Sequence, residues 1–184
     1  MKLIMTCDKN DSNYKVLDYM LSVTTKGAYF KYVYNYVYYD LRRKELVSSD
    51  RVQLHLVKGF KVKGMTEGLY SITKKGSCMS LSKIESDMSF PRYDHLITEW
   101  KNNSSYVKTT LRHPLKDVLF CKIIRLLRDD LIIRYEYFLN IIKYLSPSAD
   151  FDVHINNEDI SPVIICAKIS GYDIISLIMP EAVM

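Results

Sequence analysis

The sequence predicts a mainly α-helical protein, with paired helices in its C-terminal half and a less regular α(+β) N-terminal half. Apolar residues between 115 and 127, and again between 131 and 145, recur three to four residues apart, as on one face of a helix. Short apolar runs between 51 and 76 are broken by four glycines, which is typical of strands and loops. The 184 residues suffice for one ordinary domain or two small ones.

The N-terminal region is predicted to cover residues 1–100. A short helix is predicted over 11–21, because the apolar residues from Val16 to Leu21 share one helical face behind a polar start. Residues 28–44 fit both a helix and a strand, since their apolar spacing is helical while tyrosines alternate from 32 to 38. The length of the segment and its basic end, Arg42–Lys44, favour a helix. Residues 51–72 are predicted to form short strands or irregular loops.

The polar residues 101–112 are predicted to be a connector to a helical region over 113–184. Two helices are predicted there, one from about 115 to 127 and one from about 131 to 145. The acidic pair Asp129–Asp130 separates them, and Ser146-Pro147-Ser148 ends the second because proline interrupts a helix.

A repeat-like pattern follows, because the segment 140–145 is echoed by 173–178 at a displacement of 33 residues. The segment 161–167, Ser-Pro-Val-Ile-Ile-Cys-Ala, is similar to the TPLHxAA opening of an ankyrin repeat, and 146–152 is similar to the loop that ends one. The chain thus resembles a divergent ankyrin-repeat protein over residues 138–179, with a weaker match starting at His113. With its 18 isoleucines, 18 lysines and 15 tyrosines against 4 alanines, it is most similar to the poxvirus family of ankyrin proteins.

The resemblance implies a non-enzymatic protein–protein interaction module, from a virus, that binds a host intracellular protein. It implies that the apolar residues of 141–145, 163–167 and 174–178 are buried between helix pairs. It also implies an exposed partner-binding finger. The predicted contact residues are His154, Asn156, Asn157, Glu158 and Asp159.

Charge leaves a second interpretation open. The net charge is +5, and residues 1–75 carry 14 Lys and Arg against 7 Asp and Glu. The cations are scattered along this half, which favours an ordinary solvated surface, but a nucleic-acid-binding module that uses basic and tyrosine residues of 1–75 is the alternative. A truncated remnant of a longer ankyrin protein is a further possibility.

No catalytic, cofactor or metal site is predicted. The four cysteines and four histidines are dispersed, without a CxxC or HxxxH pair, and the glycines match no phosphate-binding motif. The first residues contain no signal peptide and no apolar run approaches the roughly 18 residues of a membrane helix, so we expect no membrane insertion and an intracellular protein, most plausibly in the host cytoplasm.

Overall fold

Antiparallel β-strands make up most of the protein in its computed structural model, which describes residues 1–24, 32–113, 124, 128 and 130–182. The chain divides into two compact units. The first unit consists of Met1–Phe90 with Lys168–Ile174, and the second of Pro91–Ala167 with Ile175–Met184. The predicted mainly α class is therefore wrong. Residues 101–112, predicted as a connector, contain the end of a helix and a strand, and the division lies after Phe90.

The first unit is an antiparallel sheet in the order β1-β6-β5-β2-β3-β4. One α-helix lies against it, and a short 3-10 helix spans Tyr32–Asn35. The elements are β1 (Lys2–Asp8), α1 (Ser12–Leu21), β2 (Val37–Asp40), β3 (Glu45–Ser49), β4 (Gln53–Lys58), β5 (Gly68–Lys75) and β6 (Cys78–Lys83).

Helix α1 confirms the prediction over 11–21. It begins behind Asp11, whose carboxylate accepts the backbone N–H of Asn13 at 2.7 Å and so satisfies one of the free donors of the first turn. Val16, Leu17 and Met20 are fully buried on the face turned to the sheet. The helix thus covers one sheet face with the side chains that the apolar spacing identified.

The tyrosine-rich segment is not a helix. Its described part contains the 3-10 turn and strand β2, in which Val37 and Tyr39 are buried while Tyr38 and Asp40 on the opposite face are half-buried. The strand-like alternation, and not the helical spacing, therefore indicated the structure of residues 37–40. The short strands predicted within 51–72 are confirmed by β4 and by the start of β5.

The second unit contains β7, β9 and the larger part of β10 and β11, in the order β11-β10-β9-β7, while residues 168–174 at the junction of β10 and β11 belong to the first unit. Phe138, fully buried on its second helix, lies with its ring centre 6.3 Å from that of Phe151 on β9. Its elements are α2 (Asp94–Asn102), β7 (Tyr106–Arg112), β8 (Leu131–Ile132), α3 (Tyr135–Ile142), β9 (Asp150–Asn156), β10 (Val163–Ile169), β11 (Tyr172–Ile178) and β12 (Glu181–Ala182), the last paired with β8.

The segments that resemble an ankyrin repeat are strands. Residues 161–167 enter β10, and 173–178 lie in β11, where every residue from Ile174 to Ile178 is buried. A strand buried on both faces shows an unbroken apolar run, which cannot be told from a buried helix by its period. The β-branched valine and isoleucines favour the strand. Most of the residues expected to be buried are buried, those of 163–167 and 174–178 within strands and those of 141–145 at the end of α3, while Cys166 and Ala167 are half-buried.

The two predicted C-terminal helices have different outcomes. The second is confirmed in its central part by α3, although Leu131 and Ile132 before it form a strand. Most of the first, from 115 to 127, lies outside the described residues, as does most of the weaker ankyrin match that begins at His113. Within the described part of the chain, none of the helices has the length and apolar character needed to cross a bilayer.

Candidate nucleic-acid interface

The basic turn at one end of the first unit connects β2 to β3. Asp40 closes it by accepting the backbone N–H of Arg43 at 2.9 Å, and Lys44 takes a left-handed backbone conformation with φ of 55°. An acid at the start of such a turn is common because its carboxylate replaces a backbone acceptor. The side chains from Leu41 to Lys44 are all exposed. The turn therefore presents three consecutive cations, of which Arg43 also lies 4.0 Å from the Asp40 carboxylate.

A second basic segment, the loop 58–67, follows β4. Phe60 is fully buried, with its ring centre 5.8 Å from that of Tyr172, and Met65 is also buried. Between these two apolar side chains, Lys61 and Lys63 are exposed. Gly59 and Gly64 have φ of 71° and 86°, a backbone region that glycine enters without the steric cost of a side chain. The buried side chains of Phe60 and Met65 therefore fix the loop, while Lys61 and Lys63 are exposed to water.

The far end of this loop is tied to the sheet by hydrogen bonds. The hydroxyl of Tyr70 donates to the Thr66 carbonyl at 2.6 Å and accepts the Thr66 backbone N–H at 2.9 Å. Lys83 on β6 donates from Nζ to the hydroxyl of Thr66 and, at 2.9 Å, to the carbonyl of Glu67. Glu67 accepts a hydrogen bond from the Tyr38 hydroxyl at 3.1 Å. Burial and this bond to Glu67 raise the pKa of Tyr38 to about 12, so that the phenol stays neutral.

The turn 40–45 and the loop 58–67 emerge side by side, because Glu45 at the start of β3 is the register partner of Lys58 at the end of β4. Paired strands lie about 4.8 Å apart. We call these two segments the basic end. It has a net charge of +3, from six cations and the three carboxylates of Asp40, Glu45 and Glu67; the cations are Arg42, Arg43, Lys44, Lys58, Lys61 and Lys63.

Five of those six cations have no carboxylate partner among the described residues, Arg43 being the exception. Within the described part of the chain, these five side chains are therefore available to an external anion. In the sequence these cations are scattered, because Lys44 of the turn and Lys58 of the loop are 14 positions apart. The fold brings them together, and the glycine-flanked alternation of Phe60, Met65 and lysines was the sequence signal for a fixed basic loop.

The helices are much less basic than this end of the sheet. Helix α1 carries Lys15 and Asp18, and the Asp18 carboxylate already accepts a hydrogen bond from Lys74 at 2.9 Å. Helix α2 carries Asp94 and Glu99 against one lysine, Lys101. Neither helix therefore presents a positive face.

The predicted partner-binding residues belong to the connection between β9 and β10. Asn157, Glu158 and Asp159 are exposed at its tip. Asn156 is only 2% exposed, and its side-chain oxygen accepts the backbone N–H groups of Glu158 and Asp159 at 2.8 and 3.2 Å. Asn156 therefore shapes the turn, whereas the three tip residues remain accessible, and their role as a partner contact stays a prediction.

His154 lies apart from that tip, on β9. Its ring meets that of Trp100 edge-on, with centres 5.0 Å apart. Burial lowers the pKa of His154 below its usual 6.5, and the nearby Lys108 acts in the same direction, while Asp152 opposes them. Lys108 itself binds Asp152 at 2.8 Å, and Thr110 donates to the same carboxylate at 2.7 Å. These residues form a partly exposed polar cluster on the sheet, distinct from the exposed turn.

Arg128 stabilises the β9–β10 turn through hydrogen bonds to its backbone. One of its Nη atoms donates to the carbonyls of Asn156 and Asp159 at 2.9 and 3.2 Å, while its Nε and second Nη bind the carboxylate of Asp130. Sequence reasoning did not assign Arg128 a role, since nothing local links it to residues 28 and 31 positions away. Among the described residues, no cluster of three or more His, Cys, Asp or Glu has the arrangement of a metal site.

Comparison with known proteins identifies the architecture. Neither the protein-family models nor the curated proteins give a match to this sequence. Among solved structures, the β sliding clamp of Caulobacter crescentus matches 100% of this chain and 66% of its own, with a TM-score of 0.58 and 13% identity. The DNA polymerase III β chain of Streptococcus pneumoniae matches 100% and 65%, with a TM-score of 0.61 and 10% identity. The chain has a sliding-clamp-like fold.

A third sliding-clamp-like match supports the same conclusion. The DNA polymerase III β subunit of Thermotoga maritima matches 98% of this chain and 65% of its own, with a TM-score of 0.57 and 13% identity. The chain thus spans about two thirds of the length of these proteins. The interpretation as a poxvirus-like ankyrin interaction module for a host factor is wrong, because the matching folds are bacterial DNA polymerase III β subunits. The two segments of the supposed repeat also differ in structure, since 140–145 is the end of α3 with the turn after it and 173–178 lies in β11.

Proposed function

We propose that this chain is a non-catalytic, sliding-clamp-like protein that associates with DNA. The likeness in fold over the entire described architecture carries the proposal, since the matched structures are β sliding clamps or β subunits of DNA polymerase III. At 10–13% identity the likeness transfers the fold, so every functional statement about this chain is ours.

The charge of the chain supports an anionic partner. The net charge is +5 with a sequence pI of about 8.9, and five cations of the basic end have no carboxylate partner among the described residues. DNA attracts such a protein by the release of counterions from its phosphates, an interaction that does not depend on sequence. Base-edge recognition is not part of the proposal.

A DNA polymerase is the protein partner that the fold likeness suggests. The exposed tip Asn157–Asp159 offers acidic contacts for it, which keeps the predicted partner-binding turn as a protein contact. An intracellular location, where DNA and polymerase occur, belongs to the same proposal.

The test separates sliding from simple binding. The full chain, labelled with a fluorophore, is incubated at 0.1 M salt with a nicked circular plasmid or with the same plasmid linearised, and protein that stays on the DNA is separated by gel filtration. A sliding protein stays on the circle and leaves the linear molecule through its free ends. Equal retention on both molecules would contradict the clamp-like part, and no DNA association at any salt concentration would contradict the proposal as a whole.

A further inference from the structure

The basic end of the first unit is the strongest candidate for the DNA contact. It concentrates cations that have no carboxylate partner among the described residues, while α1 carries one cation and one acid and α2 carries two acids against one lysine. Phosphate contacts need cations that are not already neutralised, since a paired lysine must give up its carboxylate before it binds a phosphate.

We propose that the basic end, formed by the turn 40–45 and the loop 58–67, binds the phosphate backbone of duplex DNA. This inference rests on the proposed DNA association and assigns the surface that makes it. The five unpaired cations lie on two adjacent segments of one sheet end, so they face one stretch of a polyanion together.

The construction of the loop fits this role. Phe60 and Met65 are buried and the Tyr70 hydroxyl holds Thr66 from two sides, so Lys61 and Lys63 are presented by a fixed backbone. A fixed loop loses less conformational entropy on binding than a flexible one. Exposed lysine and arginine side chains bind phosphate oxygens whatever the base sequence.

Binding independent of base sequence follows from this chemistry. With at most five phosphate contacts, the logarithm of the binding constant should fall with the logarithm of the salt concentration with a slope of about −4 to −5, near 0.9 per contact. A helix-mediated contact through Lys15 alone would give a slope near −1.

Two matched triple variants test the assignment. Arg42→Gln/Lys61→Gln/Lys63→Gln removes three exposed cations from the basic end. Lys9→Gln/Lys15→Gln/Lys75→Gln removes three from α1 and from the opposite end of the same sheet. None of these six side chains has an ion pair among the described residues, and none has a positive φ. Both variants lower the net charge equally, and far-UV circular dichroism checks that both fold.

The measurement is fluorescence anisotropy of a labelled 20-base-pair duplex between 50 and 300 mM salt, with two unrelated base sequences. The basic-end variant should bind roughly a hundredfold more weakly at 0.1 M salt, with a salt slope smaller by about 3. The control variant should bind within about threefold of the unmodified chain. A larger loss in the control variant would overturn the assignment while leaving DNA association in place.

The experiment also separates a wrong assignment of the binding surface from a failure of DNA association itself. If the unmodified chain does not bind either duplex at 50 mM salt, DNA association itself fails. A parallel arm uses vesicles of phosphatidylcholine with 30% phosphatidylserine, an anionic surface without nucleic acid. Binding to these vesicles and not to DNA, lost in the basic-end variant, would overturn the DNA assignment in favour of a membrane surface.

Discussion

The loop 58–67 in the first unit and the β9–β10 turn in the second unit are both exposed connections, but different side chains hold the parts that carry their charges. Two buried apolar side chains, Phe60 and Met65, flank Lys61 and Lys63 in the first, and hydrogen bonds from Tyr70 and Lys83 fix only its far end. Polar side chains hold the second, since Asn156 and Arg128 form hydrogen bonds with the backbone of the turn. The apolar support leaves the charges of Lys61 and Lys63 available for a ligand, whereas the polar support uses the charge of Arg128 for structure.

The largest expected effect comes from removing the buried ring of Phe60, which supports the loop 58–67. Phe60→Ala should lower the free energy of unfolding by about 3 to 5 kcal/mol, because a fully buried ring is lost and a cavity remains. Urea denaturation followed by circular dichroism measures it. Lys61→Ala, which removes a neighbouring exposed side chain, serves as the control and should change stability by less than about 0.5 kcal/mol. Equal effects of the two substitutions would show that the ring does not hold the loop.

The next largest effect comes from removing the hydrogen bonds of Arg128 to the β9–β10 turn. Arg128→Ala removes the donor to the Asn156 and Asp159 carbonyls and should cost about 2 kcal/mol, since hydrogen bonds from a charged group are worth more than neutral ones. Hydrogen exchange measured by NMR should be faster at the amides of Glu158 and Asp159. Lys168→Ala, which breaks the exposed pair with Asp173, should leave both stability and exchange nearly unchanged. Unaltered exchange at the turn in Arg128→Ala would contradict the proposed support.

A smaller effect concerns the turn that distinguishes the β-structure from an ankyrin helix. Ser170 and Gly171 join β10 to β11 as a two-residue connection with φ of 50° and 87°, the pattern of a type I′ hairpin. Gly171→Ala should therefore lower the free energy of unfolding by about 1 kcal/mol, because alanine is strained at positive φ. Ser170→Gly should be neutral or slightly stabilising. Thermal unfolding compares the two, and a stabilising Gly171→Ala would be incompatible with this turn.

That hairpin also shows how much the sequence could predict. Helix α1 was predictable because its N-cap and apolar face lie within one local stretch. The Ser-Gly pair between two β-branched runs was a local hairpin signal, but the apparent 33-residue repeat outweighed it in the interpretation. Because every residue from Ile174 to Ile178 in β11 is buried, this segment lacks the apolar–polar alternation that would have identified a strand.

The candidate site divides in the same way. The exposed tip at 157–159 was predicted from the ankyrin resemblance, and these residues are exposed although the fold is not an ankyrin repeat. The basic end was not, because Lys58 adjoins Glu45 only through strand pairing, which sequence spacing does not contain. Likewise, Arg128 reaches the β9–β10 turn across about 30 residues of chain. Long-range pairing is the part of the structure that local patterns leave undetermined.

The smallest expected effect concerns His154, which lies beside Trp100 on β9 and not in the exposed tip at 157–159. Burial lowers the pKa of His154 in the folded chain. When the pH falls below about 6.5, the ordinary histidine value, the unfolded chain therefore binds more protons at this residue than the folded chain does. Stability should therefore decrease as the pH is lowered from that value through the folded pKa, and His154→Gln should flatten this part of the curve. Urea denaturation of both proteins between pH 5 and 8 measures it, with His95→Gln, at an exposed position on α2, as the control. A pH dependence that survives in His154→Gln and disappears in His95→Gln would place the titrating group on the surface and not in the cluster with Trp100.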